Sequence, residues 1–213
     1  MTDKNIGGLN ESVNITSTDS CTFAQGKVIE DATNSGTITY NISDTAENIT
    51  AGIGSDEAVI TSAQTVAATT YATATEANTI AGSAKAIVYS IKDTATAIAG
   101  ANAGARNEAV NIICTTAATV AEATTIDNSS NSGYNTYDIE DDDDAVAGAG
   151  NALATTAGSV TVSGTSTVAN AETIAAYTKA VAYSISDVSA NALAATAGAY
   201  NEAINITITD DTT

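Results

Sequence analysis

The stretch Tyr40-Asn41-Ile42-Ser43-Asp44-Thr45-Ala46-Glu47-Asn48-Ile49 decides how this chain is read, because its opening returns three more times. Tyr-x-Ile-x-Asp recurs as Tyr89-Ser90-Ile91-Lys92-Asp93, Tyr137-Asp138-Ile139-Glu140-Asp141 and Tyr183-Ser184-Ile185-Ser186-Asp187, with the tyrosines 49, 48 and 46 residues apart. Self-similarity at such a period marks a repeat architecture. A second mark runs out of phase with the first. It reads Glu11-Ser12-Val13-Asn14-Ile15, Glu57-Ala58-Val59-Ile60, Glu108-Ala109-Val110-Asn111-Ile112 and Glu202-Ala203-Ile204-Asn205-Ile206, with a degenerate copy at Gly158-Ser159-Val160-Thr161-Val162. A third lies between them, as in Glu76-Ala77-Asn78-Thr79-Ile80 and Glu122-Ala123-Thr124-Thr125-Ile126.

Each unit therefore splits into two half-units of about 24 residues, a length within the leucine-rich-repeat range. Every half-unit opens on period two, as in Ile38/Tyr40/Ile42 and Ile87/Tyr89/Ile91, the mark of a strand with one face inward. An Ala-rich run follows. Asp44-Thr45-Ala46-Glu47, Thr73-Ala74-Thr75-Glu76 and Thr119-Val120-Ala121-Glu122 fit helix N-caps with an acid three residues on. Gly52, Gly82, Gly133 and Gly198 fit helix ends. The fold expected from this pattern is a repeat solenoid of α/β coils, each a strand plus a short helix. The alternative is an all-β solenoid in which the Ala/Thr runs are further strands. The expected organisation is one body over 1-213, with repeats near 9-54, 55-106, 107-156 and 157-200 and a half-unit at 201-213.

Composition agrees with a thin, layered core. Hydrophobic residues make up 44% of the 213, so a core can be buried, yet Phe and Met occur once each and Trp never. Ala, Val, Ile and Thr suit repeated layers rather than one thick interior. There is no His, which removes the commonest general base and metal ligand. The two cysteines, Cys21 and Cys114, have unlike flanks and do not read as a zinc pair; two free buried thiols are expected, with a disulfide between them as the alternative. Six basic residues against 25 acidic ones leave a net charge of −19, which repels nucleic acid and anionic membrane surfaces. No stretch is long and apolar enough to insert in a bilayer.

The runs Ile42-Ser43-Asp44-Thr45-Ala46-Glu47-Asn48-Ile49 and Ile91-Lys92-Asp93-Thr94-Ala95-Thr96-Ala97-Ile98 resemble the Ser-Asp-Thr-Ala-Ala-Asn-(Ile/Leu) repeats of very large bacterial surface and secreted proteins. Adhesin-like and calcium-associated exoproteins are among them. The resemblance implies a structural or adhesive role outside the cell. Later copies depart from the motif, as at Asp141-Asp142-Asp143-Asp144-Ala145-Val146. The nonapeptide Gly/Asp calcium repeats of toxin-like exoproteins are absent from the sequence.

Two groups of residues are candidates for chemistry. Asp138, Glu140, Asp141, Asp142, Asp143 and Asp144 form the densest charge, a candidate Ca²⁺ site that competes with a simpler reading, an acidic first turn facing a helix dipole. The repeat markers Tyr40, Tyr89, Tyr137 and Tyr183 lie in phase with the inward isoleucines, so they are expected inside, each with an accessible hydroxyl. Neither a Gly-x-Ser-x-Gly elbow nor a phosphate-cradling Gly-x-x-x-x-Gly-Lys run occurs, and an enzyme is not expected. No apolar leader follows Met1. The repeats begin and end without a distinct amphipathic cap, so the expected partner is another copy, head to tail, or neighbouring repeats of a longer chain. The expected role is a structural segment of an extracellular or cell-surface fibre. A module binding Ca²⁺, glycan or a host surface is the alternative.

Overall fold

The computed structural model describes residues 6–210. Along the chain the elements are α1 (Ile6–Asn10), β1 (Ile15–Thr16), α2 (Phe23–Glu30), β2 (Ile38–Thr39), β3 (Ile42–Asp44), α3 (Ala46–Ser62), β4 (Val66–Ala68), α4 (Ala74–Ala81) and β5 (Ile87–Val88). There follow β6 (Ile91–Asp93), α5 (Ala95–Gly100), α6 (Ala103–Glu108), β7 (Ile112–Cys114), α7 (Val120–Asp127), β8 (Asn135–Thr136) and β9 (Ile139–Asp141). The remainder is α8 (Asp143–Thr156), β10 (Val160–Val162), α9 (Val168–Ala175), β11 (Ile185–Asp187), α10 (Ser189–Ala194), α11 (Ala197–Glu202) and β12 (Ile206–Ile208).

This is a mixed α/β fold, and it corrects both solenoid expectations. The all-β alternative fails because the Ala/Thr runs are helices, 11 of them among the described residues. The α/β solenoid fails because no continuous ladder forms among the described residues. The strands are two or three residues long and pair into small separate parallel sheets of two or three. The physical reason lies at the strand ends. Each Tyr-x-Ile-x-Asp strand stops at its aspartate and the chain turns away after three residues; the carboxylates of Asp44, Asp141 and Asp187 bind helix N–H groups. Between these strands, Cys21, Ala72, Ala118 and Ser166 each make only a single parallel bridge, to Ile42, Ile91, Ile139 and Ile185.

The chain forms two compact units. The first comprises Met1–Lys92, Gly100–Ile112 and Ser130–Tyr134. In it β1 pairs with β2, and β4 lies between β3 and β5, all parallel. Helices pack in succession, α2 on α3, α3 on α4 and α4 on α6. The second comprises Asp93–Ala99, Ile113–Ser129 and Asn135–Thr213. There β9 pairs with β10 and β11 with β12, while α7 packs on α8, α8 on α9 and α9 on α11. Parallel neighbours need a crossover, and the helices supply it.

Local sequence explains where the helices start. Thr22, Thr73 and Thr119 each form a capping box, with Gln25, Glu76 and Glu122 returning a bond to the cap. Thr45 caps α3 through the N–H of Asn48, so the N-cap is the threonine and not Asp44. Gly82 closes α4 as expected, but Gly52 and Gly198 lie inside α3 and α11. α3 and α8 are each broken by a non-helical residue, Asp56 and Gly150 respectively; Gly150 has φ +79°, a conformation glycine adopts without strain. No helix among the described residues is long and apolar enough to cross a membrane.

Candidate functional site

The acidic run of the second unit is dispersed by its hydrogen bonds. Asp138 accepts from Ser159 Oγ at 2.6 Å, and Asp141 from the N–H groups of Val120 and Asp142 at 2.9 Å each. Asp142 is the N-cap of α8, accepting from the N–H of Ala145 at 2.8 Å. Asp143 takes the N–H of Thr167 at 3.0 Å and Asn170 Nδ2 at 2.7 Å, and Asp144 takes the same amide at 2.8 Å. Glu140 is exposed. Among the described residues no group of three or more metal-ligating side chains converges. Burial pushes the Asp143 carboxyl up, but the Asn170 amide and the Thr167 N–H outweigh it and hold it below the ordinary range. Asp141, Asp142, Asp143 and Asp144 thus face backbone and amide donors, most of them at helix starts.

The repeated tyrosines are all buried, and their hydroxyls turn inward rather than to solvent. Tyr40 donates to the carbonyl of Val59 at 2.7 Å, Tyr89 to Ala105 at 2.8 Å and Tyr183 to Ala199 at 2.8 Å. Tyr137 sits between Asp127 Oδ1 at 2.9 Å and Thr156 Oγ1 at 2.6 Å. Each hydroxyl satisfies a group that its own ring helps to bury. Burial pushes Tyr137 up to about 12. These residues hold the layers together and present no ring face to a ligand.

One device went unread in the sequence. The first N–H of a helix is bonded by a side chain from the following half-unit. Phe23 donates to Asp44, Ala46 to Thr70, Val120 to Asp141, Val168 to Asp187 and Ser189 to Asp210, all at 2.8–3.0 Å. A helix's first N–H groups have no partner within the helix, so each cap satisfies an orphan donor. The fixed place of Asp at the end of Tyr-x-Ile-x-Asp was the available signal.

The feature least like the interior is in the second unit. Leu193, Ile206 and Ile208 are 89%, 46% and 43% exposed. With Ser189, Ala192 and Tyr200 they line an apolar groove of about 520 Å³. It lies beside β12, whose one partner among the described residues is β11. Apolar groups thus gather next to a strand edge that has no second partner among the described residues. No family model, curated protein or solved structure matches the chain.

Both cysteines are free. Cys21 is buried and donates its thiol to the carbonyl of Asn41 at 3.2 Å. Burial, with the charges of Glu122 and Asp138, pushes the Cys114 thiol up to about 11, which keeps it protonated and unreactive at neutral pH.

Proposed function

We propose that this chain is a non-catalytic structural segment of an extracellular or cell-surface fibre, and that copies of it associate through the face carrying β12. The observation behind this reading is the apolar groove of Leu193, Ile206 and Ile208 alongside an open strand edge. An edge of this kind is a template for another strand, and monomeric proteins usually blunt it with lysine, proline or a covering loop. Here the edge carries isoleucines. The net charge of −19 opposes association at low ionic strength, so salt or divalent cations favour it by screening.

Sedimentation velocity and negative-stain electron microscopy across protein concentration, with added NaCl, CaCl₂ or EDTA, test the reading. Concentration-dependent assemblies that survive EDTA, and that Ile206→Lys abolishes, are the expected result. A monomer under every condition overturns it. A monomer whose Tm rises only with Ca²⁺ replaces it with a ligand-binding module.

A further inference from the structure

We infer that the open edge of β12 receives one kind of strand, an extended segment of the type Asn-Ser-Gly-x-x-x-Tyr laid parallel to Ile206–Ile208. This rests on the association reading above and names the chemistry of the partner. The chain itself contains the complex twice. In the first copy Ile15 donates its N–H to the carbonyl of Thr37 at 2.9 Å, and Thr37 donates back to Asn14 Oδ1 at 2.9 Å. Asn34 Nδ2 reaches the carbonyl of Val13 at 3.0 Å. In the second copy Ile112 donates to the carbonyl of Tyr134 at 3.0 Å, Tyr134 to Asn111 Oδ1 at 3.2 Å, and Asn131 Nδ2 to the carbonyl of Val110 at 3.1 Å. The incoming segments are Asn34-Ser35-Gly36-Thr37 and Asn131-Ser132-Gly133-Tyr134.

The glycine is required by the backbone carbonyl and the asparagine side chain that it meets together. A Cβ at Gly36 would lie 2.0 Å from the carbonyl oxygen of Val13 and 2.4 Å from Asn14 Oδ1. At Gly133 it would lie 2.2 Å from Asn111 Oδ1. Where the strand carries Thr65 or Ser159 instead of asparagine, the hydroxyl points backward, to Asn41 Oδ1 at 2.7 Å or Asp138 Oδ1 at 2.6 Å. The glycine position is then a lysine. Lys85 binds the carbonyl of Ala63, and Lys179 that of Ala157 at 2.5 Å. Among the strands β1, β4, β7 and β10, asparagine pairs with Asn-Ser-Gly and threonine or serine with the lysine type; Asn41, on a Tyr-x-Ile-x-Asp strand, faces Gln64 at that position and lies outside this rule.

Glu202-Ala203-Ile204-Asn205-Ile206 carries asparagine at this position. Its isoleucine is 46% exposed, where Ile15 is 6% and Ile112 is 0% exposed under their partners. The carbonyl of Asn205 faces β11, accepting from Ile185 at 2.8 Å, so the N–H of Ile206 points to the open side. The Asn205 side chain is exposed and has no partner among the described residues.

Two labelled peptides added to dilute full-length protein in high salt test this by fluorescence anisotropy. One copies residues 131-141, the other residues 83-93. Simple charge favours the second, which has Lys85 and Lys92 against Asp93, while the first has Asp138, Glu140 and Asp141. The expected result is the reverse, with the 131-141 peptide binding at least about tenfold tighter. A Gly133→Ala change in that peptide removes binding, and Asn205→Thr in the protein moves the preference to the 83-93 peptide. Equal binding of the two, or none, overturns the inference. Self-association without peptide selection leaves the fibre reading standing and removes this one; selection by a protein that stays monomeric does the opposite.

Discussion

Asp44 Oδ2 accepts the backbone N–H of Phe23 at 2.9 Å while Oδ1 accepts that of Thr45 at 2.8 Å, so one carboxylate fastens the starts of α2 and α3. Asn48 Nδ2 adds a third bond at 2.8 Å. Asp44→Ala leaves these donors unmet and costs about 1–3 kcal/mol. Asp44→Asn retains one good acceptor and costs less. Urea unfolding checks both, with the midpoint falling in that order and the slope unchanged.

Acid weakens the fold through the same groups. Burial raises the Asp44 carboxyl, but Asn48 and the N–H groups of Phe23 and Thr45 outweigh it and leave it below the ordinary range. The N–H of Val168 does the same for Asp187, with Asn191 and Val188 assisting, and the Ser189 hydroxyl does so for Asp210. A depressed carboxyl stabilises the fold above its unfolded value of about 3.9. That contribution fades as pH drops through the lower folded values. Tm followed from pH 6 to pH 2 is expected to hold until about 4 and then fall. Asp44→Asn flattens the fall.

Alkali acts through the tyrosines with the opposite sign. Burial raises Tyr40, Tyr89 and Tyr137, the last to about 12. The folded form therefore holds the phenolic proton more tightly than the unfolded chain, which releases it near 10. Stability is complete below that pH and is lost on the way to about 12. Absorbance at 295 nm is expected to show a late group of tyrosines ionising together with loss of helical circular dichroism.

Two glycines give a matched pair. Gly36→Ala forces a methyl against the Val13 carbonyl and is expected to destabilise by about 1–3 kcal/mol. Gly54 is exposed on α3 with nothing within 4 Å of its would-be Cβ, so Gly54→Ala is expected to stabilise by up to about 1 kcal/mol. Thermal unfolding of both variants side by side gives the contrast.

Thiol chemistry reports on intactness. Cys21 is buried and Cys114 has a thiol raised to about 11, so an alkylating or disulfide reagent at pH 8 is expected to react slowly with the native protein. Both sites react at the ordinary rate in urea. Fast labelling of Cys114 in buffer would show that its surroundings open.

The buried tyrosines and the threonine caps were legible because both are local signals, one of period two and one of three-residue spacing, though each tyrosine falls just outside the strand that follows it. The reach of Asp44 to Phe23 was not, since nothing near Asp44 names a partner 21 residues back. The same blindness made Asp44 look like an N-cap, when Thr45 has that role. Regular recurrence suggested a continuous ladder, but the sequence does not state that a strand ends after three residues. Gly133 read as a helix end, while its reason is the side chain of Asn111. Ile204 and Ile206 declared a common side; alternation cannot tell whether that side is covered.

The forward direction of the caps has a consequence for synthesis. Phe23 waits for Asp44, Val120 for Asp141 and Val168 for Asp187, so a helix leaving the ribosome lacks its final bond until the next segment has been translated. Growth is therefore ratcheted from the amino end, each newly emerged aspartate locking what came before it.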